Sequence, residues 1–327
     1  MNNYSLLPLL WNQVISHFSR YQDSEKIRPP KKIGEYILIK EKLGNGSGET
    51  IVSLYKNKKG EKVVVKMWFG KKKDYVYHSL INEYTSYVSM HNILESHLKS
   101  KKNTLNVKLP RIINFIDNGD SIFLIMEYIK GEALSKFKKE KIISTYFKVI
   151  NFFEKIYKES SQSELKFISK RYGFHYILLY PLLFVLAIIR NPQLFSNLLR
   201  SLIIYLKGIP KLILSSDYSL VHRDLNFENI IISGKYVYVI DPQLMTVTYK
   251  VYEYASTLRY CNDKNLFKED FFDSIIKECN QEEKMVFGIV SNSMAIHNIA
   301  QITREDDGFT QARISLFQFL IDFNNKV

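Results

Sequence analysis

The segment at residues 221–243, VHRDLNFENIIISGKYVYVIDPQ, places polar side chains at both ends of a short apolar pattern. The runs NIII and YVYVI flank SGK, which predicts an antiparallel hairpin that turns at its glycine. In such a hairpin the start of one strand lies beside the end of the other, so we expect Asn229 opposite Ile240 and Asp241, about 4.8 Å away. Asp224 precedes Asn229 in the loop that leads into the first strand. The pattern therefore predicts that three oxygen-bearing side chains converge at one end of the hairpin.

Carboxylate and amide oxygens are the ligands that a hard divalent cation such as Mg²⁺ prefers in proteins. Mg²⁺ usually takes only one or two ligands from the protein and leaves the others to phosphate and water. The converging side chains are therefore suited to a reaction at a metal-bound phosphate. The alternative is an ordinary hairpin whose polar ends are solvated.

The stretch HRDLNFEN resembles the catalytic loop of the protein-kinase-like superfamily, which has the pattern H-R-D-L-x-x-x-N. The resemblance implies that Asp224 accepts the proton of an attacking hydroxyl and that Asn229 binds Mg²⁺. It also implies that Asp241 binds Mg²⁺ bridging the nucleotide phosphates. His222 would then be a structural member of the loop and neither an acid nor a base.

The glycine-rich stretch LGNGSGETIV lies between two strand-like runs, where this superfamily has a loop that covers the phosphates. Glycine lets the backbone approach phosphates closely and direct N–H groups at them. Gly44, Gly46 and Gly48 are the candidate residues. The stretch departs from G-x-G-x-x-G because Glu49 holds the position of the last glycine, so the phosphate contacts are expected to differ in detail.

Three further stretches match the superfamily in their order along the chain. Lys66 in VVVKMW matches the strand lysine that contacts the α- and β-phosphates, and Glu83 on the following helix matches its ion-pair partner. In FLIMEYIKGEAL, the backbone near Glu127 and Ile129 matches the hinge that binds adenine. Taken singly, these residues have ordinary alternatives: a solvent-facing lysine, a solvated glutamate and a buried strand. Their shared order favours a complete nucleotide site.

The chain changes character along its length. Residues 1–34 indicate an N-terminal helical extension, and residues 35–129 are rich in strand patterns with one helix at about 75–99. Residues 130–327 are mainly helical by periodicity, apart from the hairpin. We therefore predict an α+β, bilobal protein-kinase-like fold, with a small β-rich N-lobe that binds nucleotide and a larger, mainly helical C-lobe.

Several departures bear on the branch of the superfamily. Asn226 stands where protein Ser/Thr kinases usually carry Lys, Asp241 begins DPQ instead of Asp-Phe-Gly, and no Ala-Pro-Glu follows. VIDPQ followed soon by YEYAS resembles the aminoglycoside phosphotransferases, choline kinases and lipopolysaccharide sugar kinases. In those branches an acidic residue ahead of a small-residue helix braces the catalytic loop, and Glu253 is the matching residue here.

By this resemblance the protein is a kinase that uses ATP and Mg²⁺ to phosphorylate the hydroxyl of a non-protein acceptor. A sugar, a glycan or a lipid-linked glycan of the surface-polysaccharide type is the expected acceptor. Two alternatives remain open at this stage: a protein Ser/Thr kinase with an atypical activation segment, and a non-catalytic nucleotide-binding scaffold.

The segment at about 165–216 is basic and apolar and contains no acidic residue. Its basic residues are Lys166, Lys170, Arg171, Arg190, Arg200, Lys207 and Lys211. A membrane span needs about 20 apolar residues. The run YILLYPLLFVLAII is shorter and contains Pro181, so we predict no transmembrane helix. The segment either forms core helices of the C-lobe or rests on an anionic membrane surface and presents a lipid-linked acceptor.

The formal charge of +13 is compatible with nucleic acid, anionic membrane or phosphorylated partners and does not choose among them. No nucleic-acid reader motif is present, so no nucleic-acid partner is expected. Cys261 and Cys279 form no metal-type pair and no disulfide framework, which predicts a cytoplasmic protein, with peripheral contact at the inner face of the membrane as an open extension. His91 and His97 are not spaced as zinc ligands on a helix, so no zinc site is predicted.

Overall fold

The computed structural model describes residues 28–43, 50–70, 75–99, 106–302 and 308–324. Most of the predicted N-terminal extension therefore lies outside the described residues. The chain divides into two compact units. The first unit is drawn from Met1–Ala133, Ser161–Phe167 and Ile230–Leu244, and the second from Leu134–Ser160, Ile168–Asn229 and Met245–Val327.

Short strands are concentrated in the first unit and long helices in the second. The strands of the described residues are β1 (Lys32–Ile33), β2 (Tyr36–Lys40), β3 (Ile51–Lys56), β4 (Lys62–Phe69), β5 (Val107–Lys108), β6 (Ile112–Asp117), β7 (Ser121–Glu127), β8 (Glu132–Ala133), β9 (Ser169–Lys170), β10 (Tyr218–Val221), β11 (Ile230–Ser233), β12 (Tyr236–Val239) and β13 (Thr246–Tyr249). The helices are α1 (Tyr75–Lys99), α2 (Lys139–Glu159), α3 (Gly173–Arg190), α4 (Phe195–Leu214), α5 (Val251–Asp263), α6 (Lys268–Glu278), α7 (Gln281–Gln301) and α8 (Gly308–Asn324). This mixed composition confirms the predicted α+β class.

The first unit contains an antiparallel sheet of six strands in the order β1-β2-β3-β4-β7-β6. Successive side chains of a strand point to opposite faces of the sheet, and β4 uses both faces. Val63, Val65 and Met67 pack into one apolar cluster on one face. The residues between them have the opposite orientation, and Trp68 packs there against Leu80 of α1. The same alternation directs Lys66 towards α1.

The predicted hairpin is confirmed: β11 and β12 are antiparallel, with Ser233 paired to Tyr236 and Ile230 paired to Val239. Its turn contains Gly234 at φ +58°, a left-handed conformation that glycine adopts at little cost. β11 also pairs with β8, and β12 pairs with β5, which together form a four-stranded sheet. Sequence periodicity groups the hairpin with the helical residues 130–327. In the structure it belongs to the first unit, because its strand partners are there.

The second unit is built around buried aromatic side chains on its helices and loops. Tyr146 of α2 lies against Phe227 and Phe271 in edge-to-face geometry, with ring centroids 6.0 and 5.1 Å away. The small sheet β10-β13-β9 completes this unit, and all four residues of β13 are buried. α7 begins with a capping box in which Asn280 and Glu283 bond each other's backbone N–H groups.

Candidate active site

Three charged side chains meet in the first unit. The Lys66 Nζ donates to Glu83 Oε2 at 2.7 Å and to Asp241 Oδ1 at 2.8 Å. The side chains of Lys66 and Glu83 are only 7% and 1% exposed, whereas that of Asp241 is 28% exposed. With all three groups ionised, two carboxylates and one ammonium leave an excess negative charge, which favours a cation at the more exposed carboxylate.

The backbone of Asp241 is fixed by a second contact. Asp241 has φ +62°, a left-handed conformation in which Asp and Asn are enriched because their short polar side chains bond locally. Its backbone N–H donates to Tyr87 Oη at 3.1 Å, and Tyr87 is fully buried on α1. Burial raises the pKa of Tyr87, so its hydroxyl stays neutral and accepts this hydrogen bond. The sequence reasoning missed Tyr87; its position one helical turn after Glu83 is the signal that points to it.

Burial and charge act in opposite directions on the ammonium of Lys66. Burial alone would lower its pKa, but the carboxylates of Glu83 and Asp241 outweigh burial, so the pKa of Lys66 is raised. Burial also raises the pKa of Glu83 to about 7, since Lys66 offsets only part of the desolvation and Asp241 adds repulsion. Lys66 is therefore a permanent cation in this site, while Glu83 titrates near neutral pH.

In the second unit, the loop before β11 is organised by two asparagines. Asn229 Nδ2 donates to the backbone oxygen of Asp224 at 2.8 Å and to Asp224 Oδ2 at 3.3 Å. This leaves the amide oxygen of Asn229 as the atom suited to face a cation. Asn226 Nδ2 reaches Asp224 Oδ1 at 3.3 Å, and Asn226 Oδ1 accepts from the backbone N–H of Asn229 at 3.1 Å. Asn226 thus closes the loop at the position where protein kinases carry Lys.

Glu253, in the first turn of α5, binds the backbone of the same loop. Its carboxylate accepts three backbone N–H groups: those of His222 at 2.6 Å, Arg223 at 3.0 Å and Leu225 at 3.2 Å. Arg223 has φ +69°, a left-handed conformation that is strained for a non-glycine residue. Burial raises the pKa of Glu253, although His222 and the three N–H groups partly offset that rise. The geometry is that of the brace that the resemblance implied for this residue.

Around Glu253, two hydroxyls of α5 bind the loop carbonyls. Ser256 Oγ donates to the backbone oxygen of Arg223 at 2.9 Å, and Thr257 Oγ1 donates to that of Leu225 at 3.0 Å. Both the N–H and the C=O groups of the loop therefore have partners on one helix. A loop held in this way keeps the Asp224 side chain in one orientation, which is what proton transfer requires.

The predicted hinge lies at the end of β7. Glu127 is the last residue of that strand, and its carboxylate accepts from the backbone N–H of Arg111 at 3.1 Å. Ile129 follows outside any strand or helix. Just beyond, a Cβ at Gly131 would lie 2.4 Å from the backbone oxygen of Ile232, so only glycine permits this approach to β11. Gly44, Gly46 and Gly48 lie outside the described residues, and the phosphate-covering loop stays a prediction.

The donor set agrees with a metal held mainly by phosphate. Within the described residues, no group of three or more His, Cys, Asp or Glu side chains is arranged to hold a metal ion. Asp241 offers a carboxylate in the first unit and Asn229 an amide oxygen in the second, and Mg²⁺ takes one or two ligands of these kinds from a protein when phosphates and water supply the others. The residues present therefore fit Mg²⁺ bound together with a nucleotide.

Residues 181–274 match the model of APH, described as the phosphotransferase enzyme family. The match includes Asp224, Asn229, Asp241 and Glu253. No curated protein sequence matches the chain significantly.

Solved structures resemble the whole chain. An aminoglycoside phosphotransferase, APH(4)-Ia, with ADP and hygromycin B has a TM-score of 0.56 at 9% identity, covering 88% of this chain and 92% of its own. The amicoumacin kinase hAmiN with AMP-PNP, Ca²⁺ and Ami has a TM-score of 0.50 at 12% identity, with 99% and 97% covered. A choline kinase from Cryptosporidium parvum Iowa II has a TM-score of 0.54 at 13% identity, with 97% and 95% covered.

These likenesses confirm the bilobal protein-kinase-like fold and the resemblance to the aminoglycoside phosphotransferase and choline kinase branches. The family model matches residues 181–274 alone, and the structural likenesses show the fold. The roles of the individual site residues remain predictions, which the geometry above makes specific.

Proposed function

We propose that the protein is an ATP- and Mg²⁺-dependent kinase that transfers the γ-phosphoryl group to a hydroxyl of a non-protein acceptor. The acceptor we favour is a sugar, a glycan or a lipid-linked glycan of the surface-polysaccharide type. The observation that carries the proposal is the buried Lys66–Glu83 ion pair with Asp241 on the same ammonium. In kinases this lysine–glutamate pair must be in place for phosphoryl transfer.

Each residue has one task in this proposal. Lys66 binds the α- and β-phosphates of ATP, and Glu83 orients its ammonium. The backbone near Glu127 and Ile129 binds adenine, as the hinge of the superfamily does.

At the reacting end of the nucleotide, Asp241 and the amide oxygen of Asn229 would hold Mg²⁺, which supplies charge neutralisation on the phosphates when it is bound. Asp224 accepts the proton of the acceptor hydroxyl as its oxygen bonds to the γ-phosphorus. ADP leaves with the electron pair of the broken bond. The reaction needs little beyond alignment and charge neutralisation, and the held loop supplies the alignment.

A non-protein acceptor is supported by the chain that follows Asp241. It passes through a short 3-10 turn at Pro242–Leu244 and directly into β13, whose residues are buried and paired with β10. An ordinary activation segment, on which protein kinases dock a peptide, has no place in this course. One structural neighbour is an aminoglycoside phosphotransferase in a ternary complex with ADP and a small molecule, hygromycin B.

The test uses ATP labelled at the γ-phosphate, Mg²⁺ and a cell extract separated into lipid, glycan, small-molecule and protein fractions. We expect label in one non-protein fraction with the wild type and its loss with Asp224→Ala, by about 10²–10⁴ in rate. Asp273→Ala, at an exposed aspartate on α6, is the matched control and should label as the wild type does.

Label found only in protein would contradict the acceptor class and favour the protein-kinase alternative. Bound ATP with no transfer to any fraction would contradict the enzyme and favour a nucleotide-binding scaffold.

We place the protein in the cytoplasm, a proposal supported by its two cysteines, Cys261 and Cys279, which are both buried and unpaired with each other.

A further inference from the structure

The two helices of the basic insertion expose apolar side chains in rows. On α3 the row contains Leu182, Val185 and Ile189, and on α4 it contains Leu199, Ile203 and Leu206. These six side chains are between 45% and 69% exposed. Spacings of three and four residues place each row on one side of its helix. We call these six residues the α3–α4 face.

The opposite sides of both helices are fixed within the second unit. The rings of Tyr180 and Tyr205 stack with centroids 3.7 Å apart, and the hydroxyl of Tyr180 shares a 2.8 Å hydrogen bond with Ser201. Ser201 Oγ donates to Asn292 Oδ1 of α7 at 2.8 Å. Asn191, between the helices, donates to the backbone oxygen of Ile299 at 2.8 Å. Rolling either helix to hide the α3–α4 face would break these buried polar contacts, so the exposure is built into the fold.

Charge accompanies the apolar rows. Arg200, Lys207 and Lys211 are exposed and follow one another at spacings of seven and four residues, which forms one row along α4 beside its apolar row. No acidic residue occurs between Leu165 and Ser216 to neutralise them. An apolar side bordered by a basic row is the pattern of a helix that lies in the plane of a membrane interface.

The same two helices can be examined for their ability to span a bilayer. Within the described residues, no single helix is long and apolar enough to span a membrane. In the part of the chain that the structure describes, one pair bent by 114°, Tyr176–Arg190 with Pro192–Leu214, passes such a test by length and composition. The buried polar contacts of that pair are made with α7. One side of the pair therefore packs against protein, and the opposite side is available to a partner.

We propose that the α3–α4 face docks the protein onto an anionic lipid bilayer, with its apolar rows among the acyl chains and its basic row at the headgroups. A second copy of the chain is the less suitable partner, because a symmetric contact would bring two basic rows together. The proposal is independent of the reaction proposed above: the α3–α4 face contains none of the candidate catalytic residues, and the proposal holds for a catalytically inactive variant.

The test is co-sedimentation of the full chain with vesicles of phosphatidylcholine alone or with about a quarter phosphatidylserine. We expect binding to the anionic vesicles that weakens as salt rises. The variant Leu182→Ser/Val185→Ser/Leu206→Ser should bind at least about 100-fold more weakly. The variant Arg200→Gln/Lys207→Gln should lose about 20-fold on anionic vesicles only.

Matched controls come from the first unit. Ile39→Ser/Ile113→Ser removes two side chains that are 43% and 47% exposed on the sheet, and Lys58→Gln/Lys59→Gln removes two exposed lysines from a turn. Both controls, and Asp224→Ala, should bind vesicles as the wild type does. Failure of the wild type to sediment, or equal losses in the controls, would overturn the proposal. So would a wild-type dimer in analytical ultracentrifugation that the triple serine variant converts to monomer, since a second copy would then cover the face.

Discussion

In the first unit, the ammonium of Lys66 is held between two carboxylates, whereas in the second unit the loop around Asp224 is held by one carboxylate that accepts three backbone N–H groups. The first arrangement consists of side chains on a strand, a helix and a turn. The second consists of backbone bound to the first turn of a helix. Both place a catalytic candidate, but they respond to different disturbances.

The charged partners in the first arrangement can be replaced by charged groups of a ligand. Phosphates can replace a carboxylate beside Lys66, and a metal can bind Asp241, so the charged group is suited to a ligand that arrives and leaves. The backbone hydrogen bonds to Glu253 form during folding. In the folded protein these N–H groups keep Glu253 as their acceptor, because breaking such buried bonds is costly. We infer that ligand binding changes the first arrangement and leaves the second unchanged.

The largest expected effect comes from Asp241→Asn. Asn keeps the shape and tolerates the positive φ of this position, but it removes the negative charge that Lys66 and Mg²⁺ need. Turnover measured with labelled ATP should fall by a factor of about 10²–10⁴, and the free energy of unfolding should change little. A near-normal rate would show that this charge is not part of the reaction.

An intermediate effect is expected from Glu253→Gln. Gln retains one acceptor oxygen, so at least one buried backbone N–H loses its partner, at a cost of about 1–3 kcal/mol in unfolding free energy measured with urea. Because the Asp224 loop loosens, kcat should fall while the KM for ATP is kept. Glu140→Gln, at an exposed position in the first turn of α2, is the control and should alter neither quantity appreciably. Loss confined to stability, with kcat unchanged, would make Glu253 purely structural.

A further expected effect is a pH dependence of the free energy of unfolding that belongs to the charged group alone. The pKa of Glu83 is raised from 4.5 to about 7, so between these pH values the folded state binds more protons than the unfolded state. The stabilisation that follows is complete below about pH 4.5 and is lost as the pH rises to about 7, by at most about 1.4 kcal/mol per pH unit.

This dependence should appear in the difference in unfolding free energy between the wild type and Glu83→Gln. Glu95→Gln, at an exposed position on the same helix, is the matched control. A difference that does not change with pH for Glu83→Gln would mean that Lys66 holds Glu83 ionised throughout.

Local patterns predicted much of this structure. Alternation of apolar residues and turn signals predicted the β11–β12 hairpin with its turn, and periodicity predicted the extent of α1, because these features depend on neighbours in the chain. The Lys66–Glu83 pair followed from order along the chain within a known pattern. Strand alternation then explains why Lys66 faces α1.

Other features depend on partners far away in sequence. The hydroxyl of Tyr87 meets the backbone of Asp241 across more than a hundred residues, and the spacing of Tyr87 from Glu83 places it on the same helix face without identifying this partner. The exposure of the α3–α4 face was equally open, since apolar periodicity is the same for a core helix and for one that rests on a membrane. The grouping of the hairpin with the first unit was missed because strand pairing is a tertiary choice that periodicity does not encode.

That pairing limits how this protein can be divided, by an experimenter or by evolution. β11 and β12 find their outer neighbours in β8 and β5, which the chain makes before it enters the second unit. A fragment beginning after Ala133 would carry the hairpin with both outer edges bare, and bare strand edges promote aggregation. We expect that a fragment containing the hairpin can be expressed in soluble form only if it retains residues 106–133. The helical unit is therefore not an independently folding domain.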